Sequence, residues 1–276
     1  MLRGLRRGGP LRVGALVPVR LASERLPGKA LLPVAGRPVI THLLDRVFAS
    51  QHLRPADVVV CTTTDPSDDP LVPVVEATGA CVFRGSRDDI IDRFRHAVRE
   101  FGFDVVVQVD GDDPCADPWY MDRCLERLLA DESVGIVVTE GLPLGLASKA
   151  IRGSAIETVW EQHTTARNDT GFGYYFTRTP LCRAVTLQPV SPDHQHPTAR
   201  LTLDYPEDLA FFRELFDQLY VDDGTVFGVT EIVALLRRRP EMLAINAALG
   251  ERYWQRTRAL AELEYQVGGK TYKVEV

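Results

Sequence analysis

Short apolar runs alternate with stretches of helical period through the first half of the chain. Val13–Val19 is apolar almost throughout and is expected as a buried strand, followed by a loop rich in Gly, Pro and Arg. Pro38 then opens an amphipathic helix through about Ser50, with proline at a favourable first-turn position. Asp57–Cys61, Cys81–Phe83, Asp104–Val109 and Gly135–Thr139 are further apolar runs expected as strands. Between them Leu71–Thr78, Asp88–Phe101 and Trp119–Ala130 are expected as helices; in the second, Ile90, Ile91, Phe94, Ala97, Val98 and Phe101 recur at helical spacing. Strands and helices in this alternation predict an α/β fold, a three-layer and mostly parallel sheet covered on both faces. Such sheets bind ligands beyond the carboxyl ends of their strands. The loops after Val19, Cys61 and Val109 leave those ends and are expected to converge.

The pattern breaks over residues 139–199, which are rich in Gly, Thr, His, Pro and aromatics and are expected as an inserted lobe. Weak strands are expected there at Gly173–Thr177 and Val185–Gln188, and another at Arg200–Leu203. Pro206–Tyr220 is strongly amphipathic, with Leu209, Phe212, Leu215, Phe216 and Leu219 on one face. Thr230–Arg238 and Gly250–Glu264 are expected as helices, and residues 265–276 as a small hairpin around Gly268–Gly269. The expected organisation is an extension (1–12), a main domain (13–264) enclosing the lobe, and the tail.

Composition narrows the partners. With 45% hydrophobic and 25% charged residues the chain is ordinary for a globular protein. Its net charge of −6 argues against a nucleic-acid binder, so an anionic ligand would need a local cluster of cations. Five cysteines, an odd number with no Cys-x-x-Cys, fit a reduced cytoplasmic protein better than a disulfide framework or a zinc site. No apolar run approaches the ~18–20 residues of a membrane span. Met1–Arg12 lacks the apolar core of a signal peptide and is expected as a frayed extension.

The loop after the first strand gathers Arg20, Arg25 and Lys29, with Gly28 for tight turning and a hydroxyl at Ser23. Phosphate groups are held by backbone N–H groups and cations at close range, arginine gripping two oxygens and lysine acting as a point charge. A solvated basic loop competes with this reading; the acidity of the whole chain and the position directly after a strand favour phosphate. No Gly-x-Gly-x-x-Gly follows that strand, which excludes the dinucleotide fingerprint. A second cluster, Asp110-Gly-Asp112-Asp113-Pro114, closes the strand ending at Val109. Carboxylates at a strand end suit Mg²⁺, although an acidic turn with local caps has the same composition. Asp204 ends the expected strand Arg200–Leu203 and could complete a metal site with Asp112, whereas Glu207 and Asp208 suit the positive end of the next helix.

These motifs together resemble a family. Arg20-x-x-Ser23-x-Arg25-Leu-Pro-Gly-Lys29, the Asp-Gly-Asp112-x-Pro turn and Leu201-Thr-Leu-Asp204-x-Pro-Glu-Asp-Leu209 look like those of the CMP-sugar synthetases, the cytidylyltransferases for sialic acid and 3-deoxy-manno-octulosonate. Thr62–Pro70 and Gly85–Arg93 bring the chain closest to the SpsF-like spore-coat polysaccharide branch. The resemblance spans roughly residues 13–139 and 200–220. It implies a nucleotidyltransferase fold with a dimerisation and acceptor lobe, a homodimer, CTP as co-substrate and Mg²⁺ as cofactor. It implies Arg20, Ser23, Arg25 and Lys29 as the phosphate loop, Asp112 and Asp204 as metal ligands, and Thr62, Ser86 and Asp88 as neighbours of the nucleoside. Arg20, Lys29 and Asp112 would carry catalysis; Asp110 would be a third ligand or a ribose contact.

Gly141–Ala150 departs from the branch, where a Gly-Leu-Asp-Val-Glu type of segment is usual: the carboxylates are missing and Lys149 is present. That change favours a small anionic acceptor, a 2-keto sugar acid or a phosphonate or phosphinate. Lys149, Asn168, Tyr174 and Arg200 are the candidate acceptor residues, with His163 and Arg167 nearby in sequence. An enzyme using UTP on a sugar, or a nucleotide-binding scaffold on the same fold, are the rival readings.

Overall fold

The computed structural model describes residues 10–222 and 225–275. Met1–Gly9, within the expected frayed extension, lie outside the described residues. The backbone N–H of Arg12 donates to Asp104, next to the sheet.

A seven-stranded sheet forms the centre, in the order Cys81–Gly85, Val58–Thr63, Val13–Pro18, Val105–Gln108, Lys149–Arg152, Ile136–Thr139, Ala184–Leu187. All neighbours pair in parallel except Lys149–Arg152, which runs antiparallel to both of its partners. Alternate side chains leave opposite faces of a strand, and the apolar runs feed two cores accordingly. Ala15, Val17, Val58, Val60, Val105 and Val107 pack against the helices Val39–Phe48, Leu71–Glu76 and Pro118–Leu129. Leu16, Val59, Cys61, Val106, Ile136 and Ile151 pack against the helices Ile90–Phe101 and Gly153–Gln162. A third core joins Pro206–Leu219, Val229–Arg238 and Leu201 and Leu203.

The region 139–199 contributes two strands to the central sheet, one of them, Lys149–Arg152, lying inside it. Three expected elements differ. Gly173–Thr177, rich in β-prone Tyr, Phe and Thr, contains a helical turn at Tyr174–Thr177 that packs Tyr175 and Phe176 into the second core. Arg200–Leu203 is extended but not a strand: Leu201 N–H donates to the Leu144 carbonyl (2.7 Å) and Leu203 N–H to that of Asp112 (2.7 Å). The terminal helix stops at Leu260, and the antiparallel hairpin Glu264–Val267 and Lys270–Lys273 follows, turning at Gly268–Gly269.

The contact between Leu144 and Leu201 depends on Gly145, at φ +94°, where an added Cβ would stand 2.1 Å from the Leu201 carbonyl oxygen. Gly145→Ala is expected to destabilise the fold by about 2–3 kcal/mol through strain and overlap with rigid backbone. A lowered midpoint in urea unfolding, at constant slope, checks this.

Candidate active site

Three segments meet, two of them loops that leave the carboxyl ends of adjacent strands. The first follows Val13–Pro18; inside it Gly28 takes φ 68°, and its N–H returns to the Leu21 carbonyl at 2.9 Å. That turn delivers Lys29. The second follows Val105–Gln108 and carries Asp110, Asp112 and Asp113. It lies so close to the first strand that a Cβ on Gly111 would stand 2.5 Å from the Pro18 carbonyl oxygen. The third is the extended segment ending at Asp204.

Lys29 Nζ lies 2.7 Å from Asp112 Oδ2 and 2.9 Å from Asp204 Oδ1, and Arg25 Nη2 lies 2.5 Å from the same Asp204 oxygen. Arg25 also stacks on Tyr205, 4.8 Å from the ring centre. Burial disfavours charge on Lys29, but Asp112 and Asp204 outweigh it and hold its pKa above the usual lysine value. Burial likewise opposes the charge on Asp204, yet Lys29, Arg25 and Arg200 hold its carboxyl below the usual range. Asp113 is raised well above it by burial and by Asp112 and Asp110.

Lys149 reaches the same cluster from the antiparallel strand. Its Nζ donates to Gln108 Oε1 (2.9 Å) and Asp110 Oδ2 (3.1 Å) and lies 5.9 Å from the centre of the Phe172 ring. Tyr174 stands in the turn beside it, covered by the Arg178 guanidinium.

The remaining candidates are placed differently. Arg20 pairs with Asp169. Ser23 Oγ accepts from Leu26 N–H at 3.4 Å within its own loop. Thr62 is buried and donates to Asp68 (2.9 Å). Ser86 Oγ accepts from Asp89 N–H, and the Asp88 carbonyl accepts from Asn168 N–H. Asn168 is fully buried; it accepts from Ile90 N–H and donates to Asp89, fastening the start of the helix Ile90–Phe101. Arg200 is buried and engaged with Asp208 and Asp204, so it orients Asp204 rather than facing a ligand.

Two important residues carry no distinctive sequence signal. Asp68, buried, accepts from Leu21 N–H (2.7 Å), Thr62 and Thr63, tying the phosphate loop to the end of Val58–Thr63. It stands among Asp65 and Asp69, and only the fold separates them. Arg93, also buried, leaves Nε and Nη1 without hydrogen-bond partners among the described residues. Burial, opposed in part by Cys61, pulls its pKa below the usual arginine range, and Arg20, Asp68 and Asp169 are also near it.

Carboxylates and cations thus converge at strand ends around one ammonium. The family model for cytidylyltransferases matches residues 14–228, from the first strand through the third loop and beyond. The chain belongs to the cytidylyltransferase family. It is accordingly a CTP-dependent nucleotidyltransferase. An uncharacterized protein of Methanocaldococcus jannaschii is 28% identical over 257 residues, 89% of this chain and 98% of its own length. A 3-deoxy-manno-octulosonate cytidylyltransferase of Yersinia pseudotuberculosis is 31% identical over 172 residues, 60% of this chain and 62% of its own. A solved cytidylyltransferase from Leptospira borgpetersenii superposes with a TM-score of 0.76 at 22% identity, over 85% of this chain and 97% of that one, a likeness of fold. Among the described residues no helix is long and apolar enough to cross a membrane.

Within this cytidylyltransferase Asp112 and Asp204 are the carboxylates that could hold a divalent cation, in place of the Lys29 ammonium that lies between them in this structure. Asp112 and Asp204 direct one oxygen each at a single point, which the Lys29 ammonium marks. Among the described residues there is no cluster of three or more His, Cys, Asp or Glu with metal-holding geometry. Two carboxylates suffice for Mg²⁺, which keeps waters and takes its other ligands from substrate phosphates.

Proposed function

We propose that this cytidylyltransferase transfers CMP from CTP to a small anionic acceptor, with Asp112 and Asp204 holding Mg²⁺. The observation that carries the reading is the convergence of Lys29 and Arg25 with both aspartates. An acceptor oxygen attacks the α-phosphorus; the bond from that phosphorus to the bridging oxygen breaks, and pyrophosphate leaves. Phosphoryl-group transfer is catalysed chiefly by positioning and by charge stabilisation. The bound cation supplies charge neutralisation across the phosphate oxygens. Lys29 and Arg25 meet the negative charge that builds on the departing pyrophosphate. Asp68 holds Leu21 and so the loop's shape. Arg93, with two N–H groups unpartnered among the described residues, would be a donor for the nucleotide.

Lys149 supports an acid as acceptor, because its ammonium reaches the edge of the cluster and Asp110 is the one carboxylate paired with it among the described residues. A 2-keto sugar acid or a phosphonate or phosphinate fits that charge. If the attacking atom is a phosphonate oxyanion no base is required.

Pyrophosphate release measured with CTP, UTP, ATP and GTP, each with 3-deoxy-manno-octulosonate and 2-hydroxyethylphosphonate, tests this. Turnover is expected with CTP and one of the two acids, and Lys149→Ala is expected to raise that acid's KM about tenfold while leaving the KM for CTP within twofold. Faster turnover with UTP, or an unchanged acid KM in the variant, overturns the assignment.

A further inference from the structure

The helix Leu249–Leu260 lies beyond the residues that the family model matches, yet it returns to the active site. Arg256 pairs with Glu24 of the phosphate loop at 2.6 Å. Arg252 covers the Tyr205 ring, which also carries Arg25. Between them, the Tyr253 ring lies 4.6 Å from the Arg200 guanidinium carbon.

Arg200 is the residue that fixes Asp204. Its Nη2 donates to Asp204 Oδ2 at 3.0 Å, and Nε and Nη2 donate to Asp208 at 3.0 and 3.1 Å. Its Nη1 is buried and has no hydrogen-bond partner among the described residues. A buried cationic donor without a partner is costly, and an aromatic face is the alternative that attracts it. Two faces are present: Tyr253 at 4.6 Å and Tyr205 at 6.0 Å. Tyr253 is the nearer, and its hydroxyl stands in the field of the cluster: burial and Asp112, Asp113, Asp204 and Asp110 push it well above the usual phenol range.

We propose that Tyr253 is a positioning residue for the metal–nucleotide site, its ring clamping Arg200 so that Arg200 holds Asp204 Oδ2 and leaves Oδ1 aimed at the point shared with Asp112. The proposal rests on the reading that Asp204 helps to hold the divalent cation. It assigns part of the site to a helix that the family match does not include.

The test is Mn²⁺ binding to the full chain with CTP, read by electron paramagnetic resonance, for Tyr253→Phe, Tyr253→Leu and Tyr253→Ala. Phe keeps the ring and is expected to bind within twofold of the native protein. Leu fills space without an aromatic face, and both Leu and Ala are expected to weaken Mn²⁺ about tenfold. CTP binding in EDTA is expected to change less than twofold in all three, which a general loss of folding would not allow. If Ala fails to fold, Leu against Phe decides. Native affinity in Leu, or a loss in Phe equal to that in Leu, overturns the proposal. Asp204→Asn separates the two levels: unchanged Mn²⁺ affinity there defeats the metal reading itself, whereas a loss there with native affinity in Tyr253→Leu defeats only the role of Tyr253.

Discussion

Lys29→Ala is expected to lower the rate of pyrophosphate release about a hundredfold while leaving the protein folded. Lys29 is the only cation that contacts both Asp112 and Asp204 among the described residues. A charge-assisted hydrogen bond is worth about 1.5–3 kcal/mol, and a donor aimed at charge developing in the transition state about 10²–10³ in rate. The loss should fall on kcat more than on the KM for CTP, because the charge that Lys29 meets grows as pyrophosphate departs. Lys29→Arg should recover little, since a broad planar guanidinium does not reproduce the compact point charge of an ammonium. Asp112→Ala should lose a comparable factor, and the double variant far less than the product of the two, because both act as one unit. Initial rates at saturating CTP check each of these; near-native kcat in Lys29→Ala would remove the loop from catalysis.

Asp208→Ala is expected to cause the largest loss of stability, about 3–5 kcal/mol, because it strands a buried guanidinium. Asp208 is fully buried and accepts from Arg200, from the backbone N–H groups of Asp204 and Tyr205, and from Asn246. Each lost acceptor leaves a desolvated donor. For a chain of this size the melting temperature should fall by roughly 10 °C. The variant should also bind divalent cations more weakly, since Arg200 loses the partner that holds it beside Asp204. Asp208→Asn should be milder, as it keeps an acceptor for the two backbone donors. Scanning calorimetry of both variants checks the order; equal melting points for Ala and the native protein would contradict it.

The parallel half of the sheet was legible because its strands are continuous apolar runs, buried on both faces, and short loops return each helix to its neighbour. The meeting of Lys29 with Asp112 was legible for a related reason: their loops leave the ends of adjacent strands, so order along the chain gives order in space. Lys149–Arg152 was not. Its four residues contain two charges and follow a Gly- and Pro-containing stretch, so nothing in their period marks an interior strand. Gly153–Gln162 was missed because it opens on glycine immediately after that strand, with no side-chain cap. Arg20 pairs with Asp169 and Asn168 with Asp89, contacts that their neighbours in sequence do not suggest. Asp68, Arg93 and Tyr253 owe their importance to contacts with segments distant in sequence, which a single chain of letters does not carry.

The antiparallel strand also has a consequence for how the chain reaches its native form. Val105–Gln108 and Ile136–Thr139 do not pair with each other; Lys149–Arg152 stands between them and supplies hydrogen bonds to both. As the protein emerges from the ribosome, the four strands on the first side can assemble once residue 108 is free. The remaining wing waits for residue 152 and is complete only at Leu187. Until then Val105–Gln108, with three valines in four residues, presents an open edge of the kind that invites intermolecular pairing. A nascent chain stalled near residue 145 is therefore the length at which this protein most needs a chaperone.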